Sequence, residues 1–369
     1  MNFVLIFILF LFFLCCSFKM SCRANEKKYT FLYILAVGSI IGCRGEDVPD
    51  TSGYLEYYND IDAVDFSHFS YYFFEPGFQF LTHLVKIVVG DISAVYFFII
   101  VFIISCLLWD AIQRILFNIQ NDNRLGSAIK LPVLYAFILF YSYYGIFYGG
   151  ITIRAGIAMG LYLETLSLLC KERLYKKDIL LISILFVLAF LFHVSSIVYL
   201  PIILIFKLTK PLDKKGYLLI LLLCSVLFFS RINMMILNNF SSILSSLVMK
   251  TENSDLSKFS LYTDVLVDSS QKISFKYVFQ LLSGFIFLLG NLKEKVYYCF
   301  LNIYILGIIL GAVFAPISMM YRILDFFYII TFMLYTMLFL SLKFHKNIFY
   351  VSCGLVLFQL ILIYRLIYA

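Results

Sequence analysis

Apolar runs recur along the whole chain at close to the length a membrane demands. The first covers residues 1–18 and the last 348–367. Between them lie runs at 29–43, 92–112, 131–149, 152–170, 178–192, 194–208, 216–230, 277–290, 296–315 and 323–342. A helix that crosses a bilayer needs roughly 20 apolar residues, about 17–25 in practice, because its backbone must satisfy itself within the segment. A soluble domain has no use for so many such runs. Composition agrees: 63% of residues are hydrophobic and 14% charged, against roughly 45–50% and about 25% in soluble proteins. Water-soluble enzymes, nucleic-acid-binding domains, coiled coils and disordered regulators are excluded. The pattern predicts an all-α, polytopic integral membrane protein with about 12 transmembrane helices. No repeat or linker divides it, so residues 1–369 are expected to form a single membrane-embedded domain.

One further run, 78–89, would be only about 18 Å long as a helix. It is too short to span and is expected to be an interfacial or re-entrant helix on the outer side. Residues 178–208 read either as one long helix or as two short ones meeting at His193. Basic flanks on both sides favour a hairpin with His193 at its tip. Positive charge follows the first apolar run, whereas a secretory signal carries it in front, so a retained helix is expected. Taking alternate loops as cytoplasmic places 19 of the 29 Lys and Arg on one side, the bias that orients membrane proteins. Both chain ends then fall outside, as do two longer loops, 44–77 and 231–276. The same bias accounts for the net charge of +7 without nucleic acid. The nine Cys lie mostly in apolar runs and form no CxxC pair or Cys/His cluster, so neither a disulfide framework nor a zinc site is indicated.

Few polar residues remain for chemistry, and those outside share one face. Loop 44–77 carries Glu46, Asp47, Asp50, Glu56, Asp60, Asp62, Asp65 and Glu75 against Arg44, interleaved with Tyr54, Tyr57, Tyr71 and Tyr72. Aromatic rings beside carboxylates suit a sugar, and an ordinary interfacial tyrosine belt has the same composition. Arg154 opens an otherwise apolar helix. An arginine there is costly unless paired or wet, which makes it a functional candidate; snorkelling to headgroups is the plainer alternative. Guanidinium at a helix N-terminus suits a phosphate. Arg322 repeats the arrangement and Arg44 begins the acidic loop, so three arginines converge on the outer face by topology. His193, with Ser195 and Ser196 behind it, is either a satisfied core residue or part of an outer cleft. Glu164 and Asp110 read as headgroup-level or helix-pairing residues, and Asp325 as a residue that orients Arg322. The crowded acids fit no calcium loop, so no metal and no cofactor is expected.

Five motifs stand in sequence. CRGEDVPDTSGYLEYY carries Arg44, Asp50, Thr51 and Tyr54; EPGFQFL begins at Glu75; IRAGIAMG carries Arg154; LAFLFHVSSIVYLP carries His193; YRILDFF carries Arg322. In this order they resemble the EpsG-like branch of the Wzy-type polysaccharide polymerases, from residue 44 to about residue 330. The family often has Gln where Ala155 stands, and Gly where Pro49 stands. The resemblance implies a membrane glycosyltransferase that joins undecaprenyl-pyrophosphate-linked oligosaccharide repeat units on the outer leaflet of the bacterial cytoplasmic membrane, making O-antigen, capsule or exopolysaccharide. It also implies a chain-length regulator as partner. In such a scheme Arg44, Arg154 and Arg322 would clamp the pyrophosphate. Asp50, Glu75 or His193 would take the acceptor proton, and the sequence does not choose among them. Tyr54 and Tyr57 would hold sugar, and 78–89 would gate the lipid tail. A lipid-linked oligosaccharide flippase, an O-antigen ligase and a membrane acyltransferase are the rival readings. Charges gathered on one face argue against the first, and His-Val-Ser-Ser is no acyltransferase signature.

Overall fold

The computed structural model describes residues 1–19, 23–61, 74–121, 133–208, 210–235, 237, 274–290, 295–314, 320–341 and 345–368. Residues 62–73 and 238–273 of the two outer loops lie outside the described residues, and with them Asp62, Asp65, Tyr71 and Tyr72. Among the described residues every regular element is helical. In chain order these are α1 (Phe3–Lys19), α2 (Arg23–Gly42), α3 (Thr51–Asp60), α4 (Pro76–Val89), α5 (Ser93–Asn121) and α6 (Val133–Phe140). A π-helical turn (Tyr141–Gly145) leads into α7 (Ile146–Gly150), then α8 (Ile153–Leu169) and α9 (Lys176–Phe192). A 3-10 turn (Val194–Val198) precedes α10 (Tyr199–Leu208) and α11 (Lys214–Phe229). The last are α12 (Phe275–Leu289), α13 (Lys295–Phe314), α14 (Met320–Tyr328), α15 (Thr331–Ser341) and α16 (His345–Tyr368). They form two compact units, Met1–Leu204 with Tyr335–Ala369, and Ile205–Leu334.

Among the described residues five helical stretches are long and apolar enough to cross a membrane: Ser93–Ile119, Val133–Gly150, Lys295–Phe314, Arg322–Phe339 and Asn347–Tyr368. Phe3–Lys19, Pro76–Val89, Val194–Phe206 and Phe275–Leu289 are apolar but shorter. All twelve expected runs are thus largely helical, while length and apolarity sufficient to span are met together in five among the described residues. The outward surface is apolar, as for a protein solvated by lipid. Ile179, Leu180 and Val187 of α9 and Leu219, Leu223 and Val226 of α11 are exposed. Several polar groups turn inward and pair there, because lipid offers no partner. Tyr135 meets Ser352 at 2.6 Å and Tyr141 meets Ser105 at 2.5 Å. In the π turn, Ser142 donates to the Leu139 carbonyl at 2.8 Å and also pairs with Gln359 of α16.

In the first unit α8 packs between α5 and α9, and α4 lies on α5 and α9. Arg114 of α5 ties the first of these contacts. It reaches Glu164 at 2.8 Å and Ser167 at 2.9 Å on α8, and also pairs with Asp110. Glu164 and Asp110 are helix-pairing residues, one of the two roles expected. The short helix α4 buries its polar side, Gln79, Thr82, His83 and Lys86, and exposes Phe80, Leu84, Ile87 and Val88. Lys86 is held by Asp91 at 2.5 Å and lies over the Tyr58 ring. Residues 178–208 are two helical segments that meet at His193, whose own backbone is extended. Met1, Asp47 and Tyr368 meet: the amino group lies 2.9 Å from the Tyr368 hydroxyl, which donates to Asp47 at 2.7 Å. The start of α1, the end of α16 and the segment after α2 therefore share one side.

In the second unit α11 packs on α12 and α13, and α13 on α14. Asp213 caps α11, accepting from the Gly216 N–H at 2.9 Å, and Ser274 caps α12, the usual N-terminal solution for orphan donors. Asp325 does not orient Arg322 as expected. It is fully buried on α14 and pairs with Lys276 of α12, its oxygens 2.7 and 2.8 Å from the ammonium. The side chain facing the interior is the one that needs a partner there; Arg322 is exposed.

Candidate functional site

Three chain features bring a cluster of ionisable groups together in the first unit. The first is a break between α7 and α8. Gly150 ends α7, Ile151 and Thr152 cross, and α8 starts at Ile153. This puts Arg154 in the first turn of α8, where backbone N–H groups have no intrahelical acceptor. A Cβ at Gly156 would collide with the Tyr148 carbonyl, so only glycine lets α8 lie this close to the end of α7. The second feature is Glu-Pro-Gly. Glu75 is the N-cap of α4, with Pro76 in the first turn, and its carboxylate makes no cap hydrogen bond. That carboxylate is free to point elsewhere. The third is Gly77: a Cβ there would sit 2.9 Å from the Leu191 carbonyl oxygen. The glycine lets the start of α4 touch the end of α9, which sets Glu75 beside His193.

Glu75 is the hub. One carboxylate oxygen pairs with Arg154. The other accepts from His193 Nδ1 at 3.0 Å and from the Val194 N–H at 3.2 Å. Burial alone would raise this carboxyl, but the His193 hydrogen bond and the Arg154 charge outweigh it and hold it at about 2. Arg154 also hydrogen-bonds the Tyr54 side chain and lies over the Phe74 ring, 4.6 Å from its centre. Its Nε is buried without a partner among the described residues. The charge of Arg44 also acts on Tyr54. Arg44 donates to Thr51 Oγ1 at 3.2 Å and to the Gly149 carbonyl at 3.1 Å, and stacks 3.6 Å over Phe97. No carboxylate pairs with it among the described residues, and burial lowers its pKa to about 10. Asp50 is exposed, with a left-handed backbone (φ 63°), and its charge acts on Tyr54.

Two guanidinium groups thus act on one tyrosine, each lies over a phenylalanine ring, and Glu75 joins one of them to His193. The EpsG family model matches residues 27–369, nearly the whole chain. The chain belongs to the EpsG family. No curated protein and no solved structure matches it. EpsG is a Wzy-type polymerase-like family, so the role indicated is that of a polysaccharide polymerase.

Within this EpsG chain the expected site residues divide. Arg44, Asp50, Tyr54, Glu75, Arg154 and His193 come together. Arg322 belongs to the second unit and is exposed on α14. Tyr54 and Tyr57 are 4% and 2% exposed and pack on Phe74 and Phe78. Neither is presented as an open face, because the rings supply the apolar packing under the arginines. Phe74, Phe97 and the Val194 N–H had no marker in the sequence; each becomes part of the site only through a neighbour far along the chain. Gly77→Ala is expected to push α4 from α9. Thermal unfolding in detergent should show a loss of about 1–3 kcal/mol, the usual cost of overpacking.

Proposed function

We propose that this chain polymerises undecaprenyl-pyrophosphate-linked oligosaccharide repeat units by glycosyl transfer. The reaction would take place at the outer leaflet of the bacterial cytoplasmic membrane. The observation that carries the reading is the Arg154–Tyr54–Arg44 arrangement. It offers two guanidinium groups, Arg154 in the first turn of α8 and Arg44 after α2, each with one nitrogen without a partner among the described residues, next to the His193 imidazole. Developing negative charge on a leaving pyrophosphate is what such donors stabilise, and family membership supplies the polymer context. Tyr54 and Tyr57 are read as the floor that fixes the arginines, a role their burial favours over an open platform for sugar. Arg322, exposed on α14, is also read as a pyrophosphate-binding residue. The remaining apolar helices are read as shorter spans that bring the total to about 12. The side shared by Met1, Asp47 and Tyr368 would then face outward. A chain-length regulator is the expected protein partner.

Purified protein in proteoliposomes, supplied with lipid-linked repeat units, decides the matter. A ladder of longer lipid-linked glycans is the expected product. Translocation without chain growth would instead mark a flippase, and growth only when lipid A core is added would mark a ligase.

A further inference from the structure

Both oxygens of Glu75 are engaged, one by Arg154 and the other by His193 Nδ1 and the Val194 N–H. A carboxylate held at about 2 and donated to from three sides is a poor proton acceptor. It is an acceptor of hydrogen bonds only, so the proton shared with His193 belongs to Nδ1. In the neutral ring Nε2 is then the basic nitrogen. Nε2 has no hydrogen bond among the described residues, and the side chain is 25% exposed. The ring's backbone is fixed as well: the His193 N–H donates to the Ala189 carbonyl at 2.9 Å, and the Ser196 N–H to the His193 carbonyl at 3.0 Å. Ser196 Oγ donates to the Ala189 carbonyl at 3.1 Å, which ties the 3-10 turn back onto α9.

We propose that His193 Nε2 receives the proton of the acceptor sugar hydroxyl, and that Glu75 is a positioning residue that fixes the imidazole and steadies Arg154. The assignment rests on the polymerase reading. In the step, the acceptor oxygen bonds to the anomeric carbon of the donor sugar as the bond from that carbon to the pyrophosphate oxygen breaks. The electron pair leaves with the pyrophosphate beside Arg154. The proton goes to Nε2 and then to water. Asp50 meets the cluster through Tyr54, so it neither holds the ring nor competes for Nδ1.

Among the described residues the charged group against His193 is Glu75 of α4, with Arg154 of α8 on its other oxygen; the other charged groups of these helices have partners elsewhere, Lys86 on Asp91 and Glu164 on Arg114. On its own segments α9 carries no charge after Asp178, and Tyr199 is the first titratable residue beyond it. The Glu75 carboxylate holds the Nδ1–H tautomer, so its removal leaves the ring free to turn and to carry its proton on either nitrogen.

The test is the initial elongation rate in proteoliposomes across about pH 5–9, with thermal unfolding as the folding control. Wild type should show an acid limb. Glu75→Gln should displace that limb and lower the plateau, because the ring loses the acceptor that fixes Nδ1–H. Glu75→Asp, which keeps the carboxylate, should retain the limb. His193→Gln should abolish the limb and reduce the plateau roughly 10²–10⁴-fold. An unmoved limb in folded Glu75→Gln, or a wild-type plateau in His193→Gln, overturns the assignment. If Glu75→Gln does not fold, the His193→Gln result decides alone. A wild-type protein that elongates nothing defeats the polymerase reading itself; one that elongates puts only the roles of Glu75 and His193 at stake.

Discussion

Arg154→Ala is expected to lower the elongation rate roughly 10²–10³-fold, the usual loss when one preorganised electrostatic contact is removed from a transition state. The side chain combines the features that make such a contact effective. It is 24% exposed, it is held by Glu75 and Tyr54, and one guanidinium nitrogen is without a partner among the described residues. In cells lacking the gene, plasmid-borne Arg154→Ala should leave surface polysaccharide as single repeat units instead of ladders. Arg154→Lys should fall short as well, because a single ammonium cannot reproduce the planar fork. Arg322→Ala tests the pyrophosphate role read for Arg322. Full-length ladders from both alanine variants at normal protein level would defeat the idea of a pyrophosphate clamp.

The second large effect is on stability. Lys276→Ala should destabilise the second unit by about 3–5 kcal/mol, because it leaves the fully buried Asp325 without its counter-charge. Asp325→Asn should cost less, since Lys276 is 20% exposed and keeps access to the surface through its flexible stem. Replacing both, as Lys276→Met with Asp325→Leu, should recover most of the loss, because no lone charge remains buried. Thermal unfolding monitored by gel filtration in detergent would order the three. A double variant as unstable as Lys276→Ala would show that the pair is not the source of the effect.

Hydropathy was enough to place most of the helices, because a bilayer permits little else and the period of the runs is long. Arg44, Glu75, Arg154 and His193 could also be singled out, since each interrupts an apolar or acidic context that does not otherwise require it. Their roles could not be read. Glu75 lies 79 residues from Arg154 and 118 from His193, and nothing local says that one carboxylate serves both. The same holds for Asp325. Its near neighbour Arg322 looked like its partner, yet the helix turns the acid inward to a lysine 49 residues away. Tyr54 and Tyr57 looked like surface residues in an acidic loop. Only the packing of α3 on Phe74 and Phe78 buries them. Close backbone contact at Gly77 and Gly156 likewise has no local signature, because the atoms that forbid a Cβ belong to other helices.

The π-helical turn at Tyr141–Gly145 makes the chain sensitive to counting. A turn of this kind accommodates one residue more than an α-helix would, and each residue rotates the downstream helix by about 100°. The Gly149 carbonyl that accepts from Arg44, and then the Ile151–Thr152 crossing that delivers Arg154, are phased by that surplus residue. Deleting one residue between 141 and 145 would leave hydropathy and composition almost untouched. It would swing the acceptor of Arg44 and the start of α8 about a quarter turn around the axis. Substitutions in this stretch should therefore be tolerated far better than a change of length.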